Sequence, residues 1–273
     1  MSHRQVWLIT GAARGLGRAL TLAALAEGHS VVATVRGEHT LPEHAHLHTL
    51  VLDVRDRSAA RATVDAAVAE FGRVDVLVNN AGHGLIGAVE EVGEAEVRHI
   101  IDTDLLGPLW LSQAVIPVMR RQAAGHIVQV STVGAVGSMP TLGLYNAAKW
   151  GLEGWTEAMS AEVATFGIRT SIVEPGAIDT GWATGSMRFA APDAVYDDLR
   201  TDLFGTPEVP WPSTGTGGGS APESVAAAVL AHVADPDDRR FRALVGEDAP
   251  GQVRAALDRR IEDYRLDPRW GVD

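Results

Sequence analysis

The chain has 273 residues, 46% hydrophobic and 21% charged, the composition of an ordinary globular protein with a well-buried core. A formal charge of −12 without any lysine or arginine cluster repels phosphate backbones and anionic lipid surfaces, which argues against nucleic-acid and membrane partners. The absence of cysteine excludes disulfides, thiolate metal sites and cysteine nucleophiles, and fits a reducing, cytoplasmic setting.

Met1 to Gln5 carry no basic, apolar and small-residue leader pattern and run straight into a strand. Short apolar runs then alternate with amphipathic stretches, which predicts a parallel sheet with helices on both faces. The predicted strands are Val6–Thr10, Ser30–Val35, Leu47–Leu52, Val74–Asn79, His126–Ser131 and Thr170–Glu174. Helical spacing marks Gly15–Gly28 and Ala59–Phe71, and two longer helices are expected through Glu94–Ala123 and Tyr145–Phe166. Ile127–Ala148 is long and uncharged, but its glycines, Pro140 and Gln129 argue against a membrane span. His44, His46 and His48 alternate where a loop enters a strand and read as surface residues, so no metal site is expected.

After Pro175-Gly176 the texture changes to Gly, Pro, Thr and scattered aromatics, among them Trp182, Phe189, Tyr196, Phe204 and Trp211, ending in the run Gly215–Ser220. Residues 177–221 are expected to form a loop-like lid over a ligand. Pro222–Ala234, Phe241–Val245 and Pro250–Tyr264 then read as helix, strand and surface helix, a C-terminal extension of about residues 222–273 within one domain spanning 1–273.

Thr10-Gly11-Ala12-Ala13-Arg14-Gly15-Leu16-Gly17 joins the first strand to a helix N-terminus. Glycines there let backbone N–H groups approach a pyrophosphate, and the positive end of the helix dipole faces its charge. An acidic residue at the end of the second strand would select NAD by binding the free ribose hydroxyl; this chain has Thr34-Val35-Arg36 instead. Arg36, with Arg14 as a second cation, suits a 2′-phosphate and points to NADP(H).

Tyr145 and Lys149 stand at i and i+4 on one helix, where an ammonium can favour the phenolate and make the pair a general acid and base. Lys149 is the only lysine in the chain, although arginine is used freely. A compact ammonium can lie against a ribose and a phenol where a planar guanidinium does not fit.

Four motifs in order, TGAARGLG at 10–17, NNAG at 79–82, YNAAK at 145–149 and PGAIDT at 175–180, resemble those of the short-chain dehydrogenase/reductase family over residues 5 to about 185. The resemblance implies a doubly wound, Rossmann-type α/β fold acting on a ketone, aldehyde or alcohol of a small molecule. It also implies that Gly11, Gly15, Leu16 and Gly17 hold the pyrophosphate, that Asp53 lies near the adenine, and that Asn79 and Ala81 line the cofactor groove. Ile178 and Thr180 would meet the nicotinamide carboxamide, Tyr145 would exchange the proton, and Lys149 would hold the nicotinamide ribose. A homodimer or homotetramer is implied by the two long helices, which carry Trp110 and Trp155.

Two positions depart from the family pattern. Thr132, thirteen residues before Tyr145, stands where a substrate-orienting serine is usual, with Ser131 beside it. Asp104 replaces an asparagine that helps to hold a relay water, and an ionised carboxylate there would stabilise Lys149 and alter the phenol. Three readings therefore stand: a carbonyl reductase, a non-redox epimerase or dehydratase using the same phenol, and a catalytically silent NADP(H)-binding regulator.

Overall fold

The computed structural model describes residues 4–208 and 218–271. Its elements begin with β1 (Val6–Ile9), α1 (Gly15–Ala26), β2 (Ser30–Val35), β3 (Leu47–Val51), α2 (Arg57–Phe71), β4 (Val76–Asn79) and a short β5 (Gly84–Ile86). There follow α3 (Glu94–Ile101), α4 (Gly107–Gln122), β6 (Gly125–Val130), α5 (Gly143–Ala164) and β7 (Ile168–Pro175). The last part holds a short β8 (Met187–Phe189), α6 (Asp197–Phe204), α7 (Pro222–Ala234), β9 (Arg242–Val245) and α8 (Ala249–Tyr264).

Seven strands pair in the order β3-β2-β1-β4-β6-β7-β9, each neighbour parallel to the next. The order reverses between β1 and β4, and this opens a crevice at the carboxyl ends of the strands. This is the doubly wound, Rossmann-type α/β arrangement. Strand alternation divides the core. Trp7, Ile9, Val76 and Val78 face Leu20 of α1 and Val229 of α7, whereas Leu8, Leu77 and Ile127 face Val64 of α2 and Leu111 and Val115 of α4. Burial on both faces explains why β1, β2 and β4 are predominantly apolar and buried throughout, without regular polar alternation.

The helix expected over Glu94–Ala123 is broken. Residues 102–106 form a π turn in which the Gly107 N–H bonds the Asp102 carbonyl. Pro108 has no N–H to offer the Asp104 carbonyl, so the α-helical ladder cannot pass through this point unchanged. The turn carries the Asp104 side chain inward, where it is wholly buried.

The segment after β7 is more ordered than its composition predicts. Met187–Phe189 forms β8 against β5, in the register Gly84↔Met187 and Ile86↔Phe189, and Asp197–Phe204 is helical. Arg200, 2% exposed, ties this segment down through Glu91, Asp197 and the carbonyls of Asp193 and Pro207. Trp211 and Gly215 to Gly217 lie outside the described residues. Among the described residues no helix is long and apolar enough to cross a membrane.

Candidate active site

The loop after β1 is built for close approach. Gly11 and Gly15 have φ of 68° and 56°, a region that L side chains rarely adopt, and a Cβ on Gly17 would collide with the Gly11 carbonyl and the Asn80 amide. The N-cap of α1, Arg14, is extended at φ −157° and gives no side-chain cap, so the first N–H groups of the helix keep their donors free. At α2, by contrast, the Asp56 carboxylate accepts from Ser58 and Ala59. Asn80 joins the two strand ends: its amide donates to the Thr10 carbonyl at 2.8 Å, and its backbone N–H donates to Thr10 Oγ1 at 2.9 Å.

This loop forms one end of a cavity of about 980 Å³. Of the residues singled out in the sequence, Gly11, Arg14, Gly15, Leu16, Gly17, Arg36, Asp53, Ala81, Asp104, Thr132, Tyr145, Lys149, Ile178 and Thr180 all line it. Asn79 does not. Its amide donates to the Pro108 carbonyl at 3.3 Å and to Ser112 Oγ at 3.2 Å, beneath α4. The period of two along β4 explains this, because Asn79 shares the face of Leu77, while Asn80, just past the strand, reaches the cavity.

Arg14 is turned away from Arg36 and towards the segment after β7, donating to the Gly185 carbonyl at 2.5 Å and to Ser186 Oγ at 2.8 Å. Arg36 is exposed on the cavity wall. Asp53 is held by Arg55, which pulls its carboxyl down to about 2. Glu38 and His39 also line this end, an acidic side chain two residues beyond the position where the sequence has none.

At the other end, α5 presents Tyr145 and Lys149, 8% and 6% exposed. The expectation that the ammonium lowers the phenol's pKa is reversed. Burial, and then the Asp104 carboxylate, push Tyr145 above its ordinary value, opposed by a hydrogen bond with the Thr132 hydroxyl. Lys149 is drawn off the phenol: Nζ lies 3.3 Å from Asp104 Oδ2, donates to the Val130 carbonyl at 3.2 Å, and stands 5.9 Å from the centre of the Tyr145 ring.

The two adjacent hydroxyls have different partners. Ser131 donates to Glu153 Oε1 at 2.6 Å and is buried, whereas Thr132 meets Tyr145 and accepts from the Gly134 N–H at 3.2 Å. Trp182 covers the phenol with its ring centroid 5.6 Å away and the planes tilted by 57°. Asn146, 3% exposed, lines the cavity, and neither of its amide atoms has a hydrogen-bond partner. Asn80 and Asn146 stand inside the NNAG and YNAAK motifs but had no role assigned to them, and sequence spacing gave no sign of His83 or Trp182, which acquire their places through contacts distant in the chain. Only the aromatic character of Trp182 offered a hint.

These features fit a dinucleotide: a cradle that a Cβ would fill, uncapped helix N–H groups, and a cavity that runs from them to the phenol. The short chain dehydrogenase family model matches residues 5–188. The chain is 35% identical over 270 residues to Oxidoreductase BOA17 of Botryotinia fuckeliana (strain B05.10), covering 96% of this chain and 97% of the relative. It is 37% identical over 178 residues to 3-ketodihydrosphingosine reductase of Bacteroides thetaiotaomicron, 65% of each chain. The crystal structure of a short-chain dehydrogenase from Streptomyces avermitilis superposes with a TM-score of 0.85 at 32% identity, covering 96% of both chains. A family match over most of the length and a closely superposing fold lead to one conclusion: this chain belongs to the short-chain dehydrogenase family of oxidoreductases, which work with a nicotinamide cofactor.

Proposed function

We propose that the protein reduces a ketone or aldehyde with NADPH, and oxidises the corresponding alcohol in reverse. The observation that carries this reading is a buried Tyr145, with Thr132 and Lys149 beside it, at the far end of a cavity that starts at the glycine loop; burial and the Asp104 carboxylate favour its protonated form. A phenol that retains its proton at neutral pH is suited to donating it to a developing alkoxide.

Bound nicotinamide supplies the hydride, and the protein supplies position and charge. Gly11, Gly15, Leu16 and Gly17 would offer the backbone N–H groups for the pyrophosphate, Asp53 would border the adenine, and Arg36 would bind the ribose 2′-phosphate. Arg14 joins it once released from Gly185. Ala81 borders the groove, and Ile178 and Thr180 border the nicotinamide end, with Lys149 as the ribose ligand. Thr132 and Tyr145 orient the substrate oxygen, and Tyr145 Oη passes it the proton. Residues 177–221 serve as the substrate lid, with Trp182 as the aromatic wall above the phenol. Subunits associate through α4 and α5, where Trp110 and Trp155 remain partly buried.

Purified protein is expected to oxidise NADPH with members of a carbonyl panel, and faster than NADH. Tyr145→Phe abolishes turnover and leaves cofactor binding intact; undiminished activity in that variant overturns the mechanism. Turnover that leaves total NADP(H) unchanged identifies an epimerase or dehydratase instead. A monomeric mass in solution overturns the assembly.

A further inference from the structure

Two histidines that no motif of the site includes lie behind Lys149. Asp104 is 0% exposed, and its oxygens accept from the His83 N–H at 3.1 and 3.3 Å, with His83 Nδ1 3.1 Å from Oδ1 and Lys149 Nζ 3.3 Å from Oδ2. The other nitrogen of His83, Nε2, is 3.1 Å from Nδ1 of His99 on α3, and the two rings meet edge to face with centroids 4.7 Å apart. His83 is buried and lines the cavity, whereas His99 is half-buried and stands outside it.

An anionic Asp104 Oδ1 only 3.1 Å from His83 Nδ1 repels a bare nitrogen lone pair and favours a proton on Nδ1. In that neutral form His83 Nε2 is bare and faces His99 Nδ1, which is placed to be its donor. Burial, reinforced by the guanidiniums of Arg188, Arg55 and Arg36, pushes His99 below its ordinary value, which favours a neutral donor at working pH. Gly82 closes the arrangement from the side, since a Cβ there would stand 2.6 Å from Asp104 Oδ2.

We infer that His83 and His99 are positioning residues: Asp104 favours the Nδ1–H form of His83, His99 supports that form by donating to Nε2, and His83 so held aims the Asp104 carboxylate at Lys149, so the catalytic ammonium is placed by a side-chain line that ends outside the cavity. The kinetic part of this inference rests on the carbonyl-reductase reading above. The chain thus holds Lys149 with a fixed anion at the position where the family pattern has a neutral amide. Second-line hydrogen bonds that set a histidine's tautomer commonly decide how well its partner is aligned.

The test compares wild type with His99→Leu, which removes the donor, and with His99→Asn, whose amide N–H stands near the place of Nδ1. Nitrogen-15 spectra of ring-labelled protein should show His83 as the neutral Nδ1–H tautomer in wild type and in His99→Asn, and a displaced Nε2 resonance in His99→Leu, where that nitrogen loses its donor. A cationic or Nε2–H His83 in wild type overturns the inference without any assay of turnover, and this arm stands even if His99→Leu does not fold. In the kinetic arm, kcat falls about tenfold in His99→Leu with KM nearly unchanged, and His99→Asn restores it to within about twofold. An unaltered kcat in His99→Leu, or failure of His99→Asn to restore it, also overturns the inference. If no carbonyl compound is turned over by wild type, the reductase reading fails, and the spectra still decide the tautomer.

Discussion

Lys149 Nζ lies 3.3 Å from Asp104 Oδ2, and the two side chains are 7% and 0% exposed. A buried pair of this kind is expensive to break, since the surviving charge is left without compensation. Asp104→Asn keeps the shape and removes the charge, and is expected to cost on the order of 3 kcal/mol of stability, seen as a lower Tm. The same carboxylate raises the phenol of Tyr145. Its loss should therefore lower the phenol's pKa and move the basic limb of the kcat/KM profile to lower pH, and a limb that stays in place would show that Asp104 does not act on Tyr145.

The neighbouring hydroxyls Ser131 and Thr132 should separate cleanly in kinetics. Thr132 meets the phenol and Ser131 is occupied by Glu153. Removing a donor aimed at developing charge commonly costs about ten- to hundredfold or more in kcat. Thr132→Ala is expected to lose that much, and Thr132→Ser to keep most of the activity because the hydroxyl remains. Ser131→Ala leaves Glu153 short of one donor and should lower Tm more than kcat. The reverse ranking in steady-state assays would transfer the substrate-orienting role to Ser131.

The proposed preference for NADPH rests on Arg36. With Arg14 engaged by Gly185 and Ser186, Arg36 is the guanidinium on the cavity wall beside β2. A charge-assisted contact of this type contributes about 1.5–3 kcal/mol, so Arg36→Ala should lower kcat/KM for NADPH by roughly ten- to hundredfold and change NADH far less. Glu38 in the same wall would favour the free ribose hydroxyl in that variant. Equal losses with both cofactors would count against recognition of the 2′-phosphate.

Much of this architecture could be read before any coordinates. The strands were legible because β1, β2 and β4 are short buried runs, and the loop and the Tyr145–Lys149 pair were legible because their spacing is local. What escaped the sequence depends on distant partners. Pro108 breaks the helical ladder, but which carbonyl it frees and where Asp104 then points depend on the packing of α4 and α5. His83 and His99 are 16 residues apart on different elements, and the pairing of β5 with β8 spans about a hundred residues. The aromatic-rich segment after β7 was read as a loop because the strand it adds is three residues long, too short for any periodicity to register. Asn79 and Asn80 show the limit well: adjacent and identical, they face opposite ways because side chains alternate along β4, and which face meets the cavity is set by the packing of α4.

Two buried groups give the fold opposing responses to pH. Burial, with help from Arg169 and His232 and against Asp238, pushes His126 from 6.5 down to about 3. The unfolded chain then binds a proton that the fold refuses, so this contribution to stability is complete above 6.5 and is lost as pH falls from there towards 3, at up to about 1.4 kcal/mol per pH unit. Glu174 does the opposite. Burial and the nearby Glu153, opposed by Arg242, raise it from 4.5 to about 7, so its contribution is present below 4.5 and is lost as pH rises from 4.5 to 7. Relative to wild type, His126→Asn should therefore regain stability as pH falls below 6.5, and Glu174→Gln should regain it as pH rises above 4.5. Thermal melts in steps across this range measure both differences, whatever constant offset each substitution brings. A wild-type-minus-variant curve that is flat for either protein would remove that group from the account of acid or alkaline stability.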